Sequence, residues 1–415
     1  MTTLIIVLWR HRLNFHGYYK PTAINSSKNN NNFKLVVVGP ENSITDDICV
    51  DVYCQIQAGF GPRDHCHSSL MDKVRELASN YGSTRRIIVV FEAELQYLIA
   101  KIRFELGVEG LVPDQVEQVI HMKEMKLIAR RNGLMTLRQT VISLKTEPSV
   151  WLELIATKLG GFPVFAKSSV NIHSRKITRY LIHDSDEMHN WIKNKLEMEN
   201  KFENEFVVEE CLRDGYEFVS LYCSSGFICT IAKMNADNTL FETIRDQKPY
   251  AYEYLNVEQT RDILPGLESF VLRTIKSLPA LPNSSFVFIE GFYKNDEDIQ
   301  NKTEKSTRNH HVLVNFPSTE GVLLHQTNIP KRNSLMRVIW KACEGQELTS
   351  CNSLDDNVLQ IFLSNPNRAQ VMADVKDLIA NTYIAVDRLA EKHSYCRSIR
   401  RNSINQLIRS WTTAD

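Results

Sequence analysis

The sequence has no surplus of charge of either sign, no paired-cysteine motif and no long apolar run. Lys plus Arg equals Asp plus Glu at 49 each, so bulk charge recruits neither nucleic acid nor an anionic membrane. Nine cysteines fall at irregular spacings without a CxxC pair. That odd, scattered set fits reduced thiols in a cytoplasmic protein better than a disulfide framework. The first apolar run, Leu4 to Leu8, has no basic region before it and is closed by Arg10, His11 and Arg12. It suits a buried strand and is too short for a signal-peptide core or a membrane span. His65-Cys66-His67 and His310-His311 carry metal-ligand side chains. Adjacent side chains on an extended chain point to opposite sides, however, and no second cluster has ligand spacing, so a metal reading is set aside.

What is present is the composition of a globular protein, 43% hydrophobic and 24% charged. The 415 residues allow two or three domains, since domains cluster near roughly 100 to 150 residues. Apolar runs at Leu4–Leu8, Lys34–Val38 and Ile87–Val90 are rich in β-branched residues and predict a parallel sheet covered on both faces. The run Asn29 to Asn32 lies in a polar linker between the first two. Leu95, Leu98, Ile99, Ile102 and Leu106 at helical spacing before Gly107 predict an amphipathic helix. A second helix is expected from about Val116 to Arg131, stopping at Gly133.

Downstream the pattern turns strand-rich: Phe162–Lys167, Ile177–Ile182, Phe206–Val208, a hairpin of Phe218–Tyr222 with Phe227–Lys233, then Phe286–Glu290 and His311–Asn315. The polar stretch Lys294 to His310 reads as a surface insertion. From Val371 through Val375, Leu378, Ile379, Val386 and Leu389 the apolar spacing is again helical, followed by Arg397, Arg400, Arg401 and Arg409.

Several of these segments together resemble the ATP-grasp superfamily, and among its members the carnosine synthase-like carboxylate-amine ligases. Ile87 to Gly110 looks like the stretch that precedes the ATP site. His121-Met122-Lys123-Glu124-Met125-Lys126 falls where the family has an Asp-Lys pair. Counting back from Gly133 reaches Met122 at the lysine position, so Lys123 or Lys126 substitutes there. Gly161-Phe162-Pro163-Val164-Phe165-Ala166-Lys167 resembles the apolar strand ending in a phosphate-gripping lysine. A lysine at a strand end delivers a point charge while its stem packs along the sheet. Val208-Glu209-Glu210-Cys211-Leu212 followed by Gly215-Tyr216-Glu217 is similar to the hinge that holds the nucleoside, with one residue more than the commonest spacing.

The resemblance implies an α/β plus α+β chain with the ATP-grasp fold. It would comprise an N-terminal parallel-sheet domain over 1–115, an ATP-grasp domain over 116–345 divided at 205/206, and a C-terminal helical extension over 346–415. It implies ATP bound by Lys126, Lys167, Ser174, Glu209, Glu210, Leu212 and Glu217, with the adenine on main-chain groups of Glu210 and Leu212 and Glu217 reaching the ribose. Mg²⁺ would rest on Glu290, with Asn315 as a second ligand. The partners implied are a nucleotide, a small carboxylate and an amine or amino acid, with no nucleic acid and no membrane. No catalytic side chain is assigned. Two departures stand out. With Pro317 and Gly321 aligned, the family's Glu-x-Asn pair of metal ligands becomes Val314 and Phe316, and its arginine becomes Ser318. The phosphate-covering loop, Ser168 to Arg175, contains no glycine. The expectation is therefore a nucleotide binder with weak or no turnover, the alternative being an active ATP-dependent ligase that forms a C–N bond through an acyl phosphate.

Overall fold

The computed structural model describes residues 3–8, 33–40, 52–56, 66–80, 85–90, 95–120, 122–143, 145–168, 180–197, 205–212, 215–223, 226–234, 239–278, 286–294, 308–351 and 356–387. The chain divides into two units, Met1–Cys211 with Arg273–Phe286, and Leu212–Leu272 with Val287–Asp415. Among the described residues no helix is long and apolar enough to cross a membrane.

The first unit opens with β1 (Thr3–Leu8), β2 (Phe33–Pro40), β3 (Val52–Ile56) and β4 (Arg85–Val90) in one parallel sheet of order β3-β2-β1-β4. Parallel neighbours need crossovers that bring helices onto the sheet, which is why these strands are apolar. Leu4, Ile6, Leu8, Val36, Val38 and Ile88 bury against Val74 and Leu77 of α1 (Cys66–Asn80) and Ile99 and Ile102 of α2 (Gln96–Glu105). Cys66 and His67 therefore open a helix. Arg103 of α2 donates from Nη2 to Ile88 O at 2.6 Å, capping a carbonyl of the edge strand, and burial pushes its guanidinium down to about 10.

The helix expected from Val116 to Arg131 is two, α3 (Pro113–Ile120) and α4 (Met122–Arg131). The first starts earlier than the apolar spacing suggests, because proline suits a helix's first turn, where its missing N–H is no loss. A second, antiparallel sheet follows, of order β5-β8-β6-β7, from β5 (Gln139–Ser143), β6 (Val164–Ser168), β7 (Tyr180–Ile182) and β8 (Glu205–Glu210). Residues 177–179 of the expected third strand lie outside the described residues. Side chains alternate across each strand. Ile142, Val164, Ala166, Ile182, Phe206 and Val208 share the face that packs on Trp151 of α5 (Pro148–Leu154), Ile155 and Leu159 of a π-helical turn, and Met188 and Trp191 of α6 (Ser185–Glu197). The other face carries Gln139, Phe165, Lys167, Val207 and Glu209.

The second unit is built on seven strands in the order β12-β9-β10-β11-β13-β17-β15. They are β9 (Tyr216–Cys223), β10 (Gly226–Lys233), β11 (Tyr250–Asn256), β12 (Phe286–Tyr293), β13 (His310–Pro317), β15 (Leu335–Trp340) and β17 (Asn357–Asn365). β14 (Gly321–His325), β16 (Glu347–Leu348) and β18 (Ala385–Asp387) form a smaller sheet. β9 and β10 make the expected hairpin, with Phe218 opposite Ala232. β12 and β13, consecutive in sequence, stand three strands apart. The helices α7 (Leu240–Arg245) and α8 (Val257–Ile263) both start on capping boxes, at Thr239 with Glu242 and at Asn256 with Gln259.

The last helix, α9 (Arg368–Asn381), presents Val371, Met372, Val375 and Leu378 to Val312, Val314, Phe316 and Ile361. Apolar spacing alone runs on through Val386 to Leu389, but the helix stops at Asn381, Val386 belongs to β18, paired with β14, and Leu389 lies outside the described residues. At its start Arg368 grips Glu253 with Nε and Nη2, each at 2.9 Å, and His310 Nδ1 lies 3.2 Å from the same carboxylate; all three are buried. β17, at 357–365, pairs along the whole of β13, so the chain beyond 345 contributes a strand to this sheet as well as a helix.

Candidate functional site

β6 and β8 run antiparallel with Phe165 opposite Glu209 and Lys167 opposite Val207, so the Lys167 and Glu209 side chains leave the sheet on one face. Lys167 Nζ donates to Glu209 Oε2 at 2.5 Å, and Lys126 Nζ, from α4, donates to Glu209 Oε1. All three side chains are buried, between 3% and 9% exposed. Burial pushes the Glu209 carboxyl upward, but Lys167 and Lys126 outweigh it and hold the group below the usual carboxylate range. Two ammonium groups thus converge on one carboxylate in a place of reduced dielectric, where a lysine charge acts more strongly on an anion than it does at the surface. Lys126, one of the two lysines the sequence left open, reaches this cluster; the Lys123 side chain lies outside the described residues.

The next hinge residue turns away. Glu210 accepts from Arg138 N at 2.7 Å and from Arg138 Nε at 2.6 Å, which ties the end of β8 to the start of β5. Leu212 is exposed. Ser174 lies outside the described residues.

In the second unit the placements follow from register. Asn315 stands opposite Tyr250, Leu313 opposite Tyr252, and Val314 opposite Ala251. Val314 and Phe316 are buried in the core under α9. Leu313 and Asn315 therefore project from the other face, and Gln360 of β17 confirms it by donating from Nε2 to Asn315 Oδ1 at 2.7 Å. Glu290 belongs to that second face too. Its neighbour Gly291 turns toward the Phe218 ring on the core side, where an added Cβ would come within 2.8 Å. Glu217, one position beyond the Phe218–Ala232 pair, shares the face with Glu290 and accepts from Leu240 N at 2.9 Å, at the first residue of α7. Tyr252 records the grouping: burial pushes its hydroxyl well above the usual tyrosine range, and the charges of Glu217 and Glu290 act in the same direction, alongside Tyr250 and Tyr254. Glu290 itself is exposed.

The sequence matches no protein-family model and no curated protein. Solved structures do match, over nearly the whole chain. An L-amino acid ligase from Bacillus licheniformis aligns with a TM-score of 0.62 at 14% identity, covering 93% of this chain and 99% of that one. A phosphoribosylglycinamide synthetase from Anaerococcus prevotii aligns at 0.54 and 12% identity, over 93% and 100%. A carboxyaminoimidazole ribonucleotide synthase from Aspergillus clavatus, solved with ATP, aligns at 0.55 and 10% identity, over 92% and 99%. This chain has the ATP-grasp fold.

Within that ATP-grasp framework the two units differ in what their residues offer. The Lys126–Glu209–Lys167 cluster suits phosphate oxygens, which take point charges from lysine. The second unit is a poor fit to a pair of magnesium ions. Mg²⁺ is a hard cation that demands oxygen ligands in near-octahedral geometry, partly from the protein and partly from phosphate. Leu313 has no oxygen, Asn315 Oδ1 already accepts from Gln360, and Glu217 is engaged by α7, which leaves Glu290 as the one exposed carboxylate of the four positions.

Proposed function

We propose that this protein binds ATP or ADP and turns it over weakly or not at all. The observation that carries the reading is the buried Lys126–Glu209–Lys167 cluster, two lysines preorganised about one carboxylate, on a fold shared with an enzyme solved with ATP. Lys167 and Lys126 would hold phosphate oxygens, Glu209 would keep both ammonium groups in place, and main-chain groups of Glu210 and Leu212 would meet the base. Glu217 would take the ribose, Ser174 would lie over the phosphates, and Glu290 with Asn315 would provide what metal contact there is. Reduced thiols and balanced charge support a cytoplasmic setting.

Calorimetry and thermal shift with ATP and ADP, with and without Mg²⁺, test this. Affinity in the micromolar to millimolar range, weakly dependent on Mg²⁺, is expected. Binding at roughly ten times Kd adds about 1.4 kcal/mol to stability. Lys167→Ala should weaken binding by roughly 1.5 to 3 kcal/mol, the range for a charge-assisted contact, and Glu290→Ala should change little. No heat and no shift at millimolar nucleotide would reject the reading.

The second reading is an ATP-dependent carboxylate-amine ligase, favoured by the end-to-end match to an L-amino acid ligase. The γ-phosphoryl group would pass to a substrate carboxylate, giving ADP and an acyl phosphate. An amine would then attack the acyl carbon, form the C–N bond and release phosphate. Turnover with amino-acid mixtures near a typical kcat of roughly 10 per second, abolished by Glu290→Ala, would establish it. We expect turnover at least about a thousandfold lower, because Glu290 is the one exposed carboxylate among the four positions on that face and Ser318 stands where the resemblance implies an arginine for the transferring group.

A further inference from the structure

One polar atom beside the lysine cluster has no role in the structure as it stands. Gln139 pairs directly with Glu209 across β5 and β8, so its side chain leaves the sheet on the face that carries Glu209 and Lys167. Its Oε1 is buried and has no hydrogen-bond partner, while the residue as a whole is half-exposed. Buried side-chain oxygens are nearly always paired, so an orphan acceptor on the face that carries Glu209 and Lys167 points to a donor from outside the chain. The neighbours on either side are accounted for: Arg138 is held by Glu210, and Glu209 by the two lysines.

We propose that Gln139 selects the base of the bound nucleotide, its amide pairing with the 6-amino edge of adenine. The inference rests on the nucleotide-binding reading and goes beyond it by naming the side chain that distinguishes adenine from other purines. An amide places an acceptor and a donor side by side, and adenine presents a matching donor and acceptor at its 6-amino group and N7. Guanine and hypoxanthine carry a carbonyl oxygen at position 6, so both of their groups on that edge are acceptors and only one can be satisfied. Gln139 stands opposite Glu209, the residue immediately before the main-chain groups of Glu210 that the base would meet. The last torsion of a glutamine side chain is broad, so the amide can turn its buried oxygen toward an arriving base without leaving a rotamer well.

The test compares ATP with inosine triphosphate, which differs in carrying oxygen in place of the 6-amino group, by calorimetry on the whole protein and on Gln139→Leu. Unmutated protein should prefer ATP. In Gln139→Leu, ATP affinity should fall roughly three- to tenfold, the span of a neutral hydrogen bond, and inosine triphosphate affinity should fall less, so that the preference for ATP narrows. Lys167→Ala should weaken both nucleotides alike. Purine riboside triphosphate, which lacks any group at position 6, should bind the unmutated protein less tightly than ATP, a comparison that needs no variant to fold. An undiminished preference for ATP in Gln139→Leu, or equal affinity of the unmutated protein for ATP and purine riboside triphosphate, overturns the inference and leaves nucleotide binding intact. Failure of the unmutated protein to bind any of the three overturns both.

Discussion

Gln360 Nε2 donates to Asn315 Oδ1 at 2.7 Å, and this bond between β17 and β13 shows which way the candidate metal strand faces. Aligned on Pro317 and Gly321, the sequence puts Val314 and Phe316 at the ligand positions, yet both lie in the core under α9. The positions on the face shared with Glu290 are Leu313 and Asn315. Two substitutions one residue apart should therefore behave oppositely. Val314→Glu forces a carboxylate into an apolar core and should cost more than about 4 kcal/mol. Leu313→Glu, at a half-buried position, should cost under about 1.5 kcal/mol. Urea unfolding monitored by fluorescence checks both, and similar losses at the two sites would mean that the face assignment is wrong.

Glu209 holds two buried ammonium groups together. Glu209→Ala removes the anion and leaves Lys126 and Lys167 facing one another, which should destabilise the first unit by about 3 to 5 kcal/mol. Denaturation midpoints of the variant and of the unmutated protein decide it.

Acid should weaken both units, each through a buried carboxylate. In Glu209 burial raises the carboxyl but Lys167 and Lys126 lower it further; in Glu253 burial raises it but His310 and Arg368 lower it further. Both folded values lie below the unfolded one, about 4.3 for glutamate. Each group then contributes stability that is complete above the unfolded value and is lost as pH falls through the folded one. The urea midpoint should be level between pH 6 and pH 8, apart from histidine titrations, and fall below roughly pH 4.5. Glu209→Gln should flatten that fall in the first unit, and an unaltered acid limb there would contradict the pairing.

Gly321 sits at the start of β14 with φ at 138°, and a Cβ there would meet Val386 Cγ1 at 2.5 Å and Asp387 O at 2.6 Å. One of those atoms is backbone of the partner strand β18, so relief requires the strands to part. Gly321→Ala should cost roughly 1 to 3 kcal/mol, with hydrogen exchange rising first at β14 and β18. Exchange unchanged at Ala385 to Asp387 would rule the close approach out.

By itself the sequence determined the parallel strands Leu4–Leu8, Lys34–Val38 and Ile87–Val90, the β9–β10 hairpin and the fold to which they belong. These are local signals: a β-branched run between polar connectors, or two runs joined by a short turn, restrict the chain wherever it lies. It also offered Lys167, with Lys123 or Lys126, as candidates for holding phosphate, but spacing along a helix could not say which residue reaches a strand far away in the chain. Tertiary structure brings Lys126 of α4 and Lys167 of β6 to one carboxylate on β8, while the Lys123 side chain lies outside the described residues. It likewise decided that Leu313, and not Val314, shares a face with Glu290, since a strand's two faces differ by a single residue of register and only packing under α9 settles which face is the core. Gln139 gave no signal in the sequence at all, because an unpaired acceptor is a property of the neighbours around an atom and not of the residue that carries it.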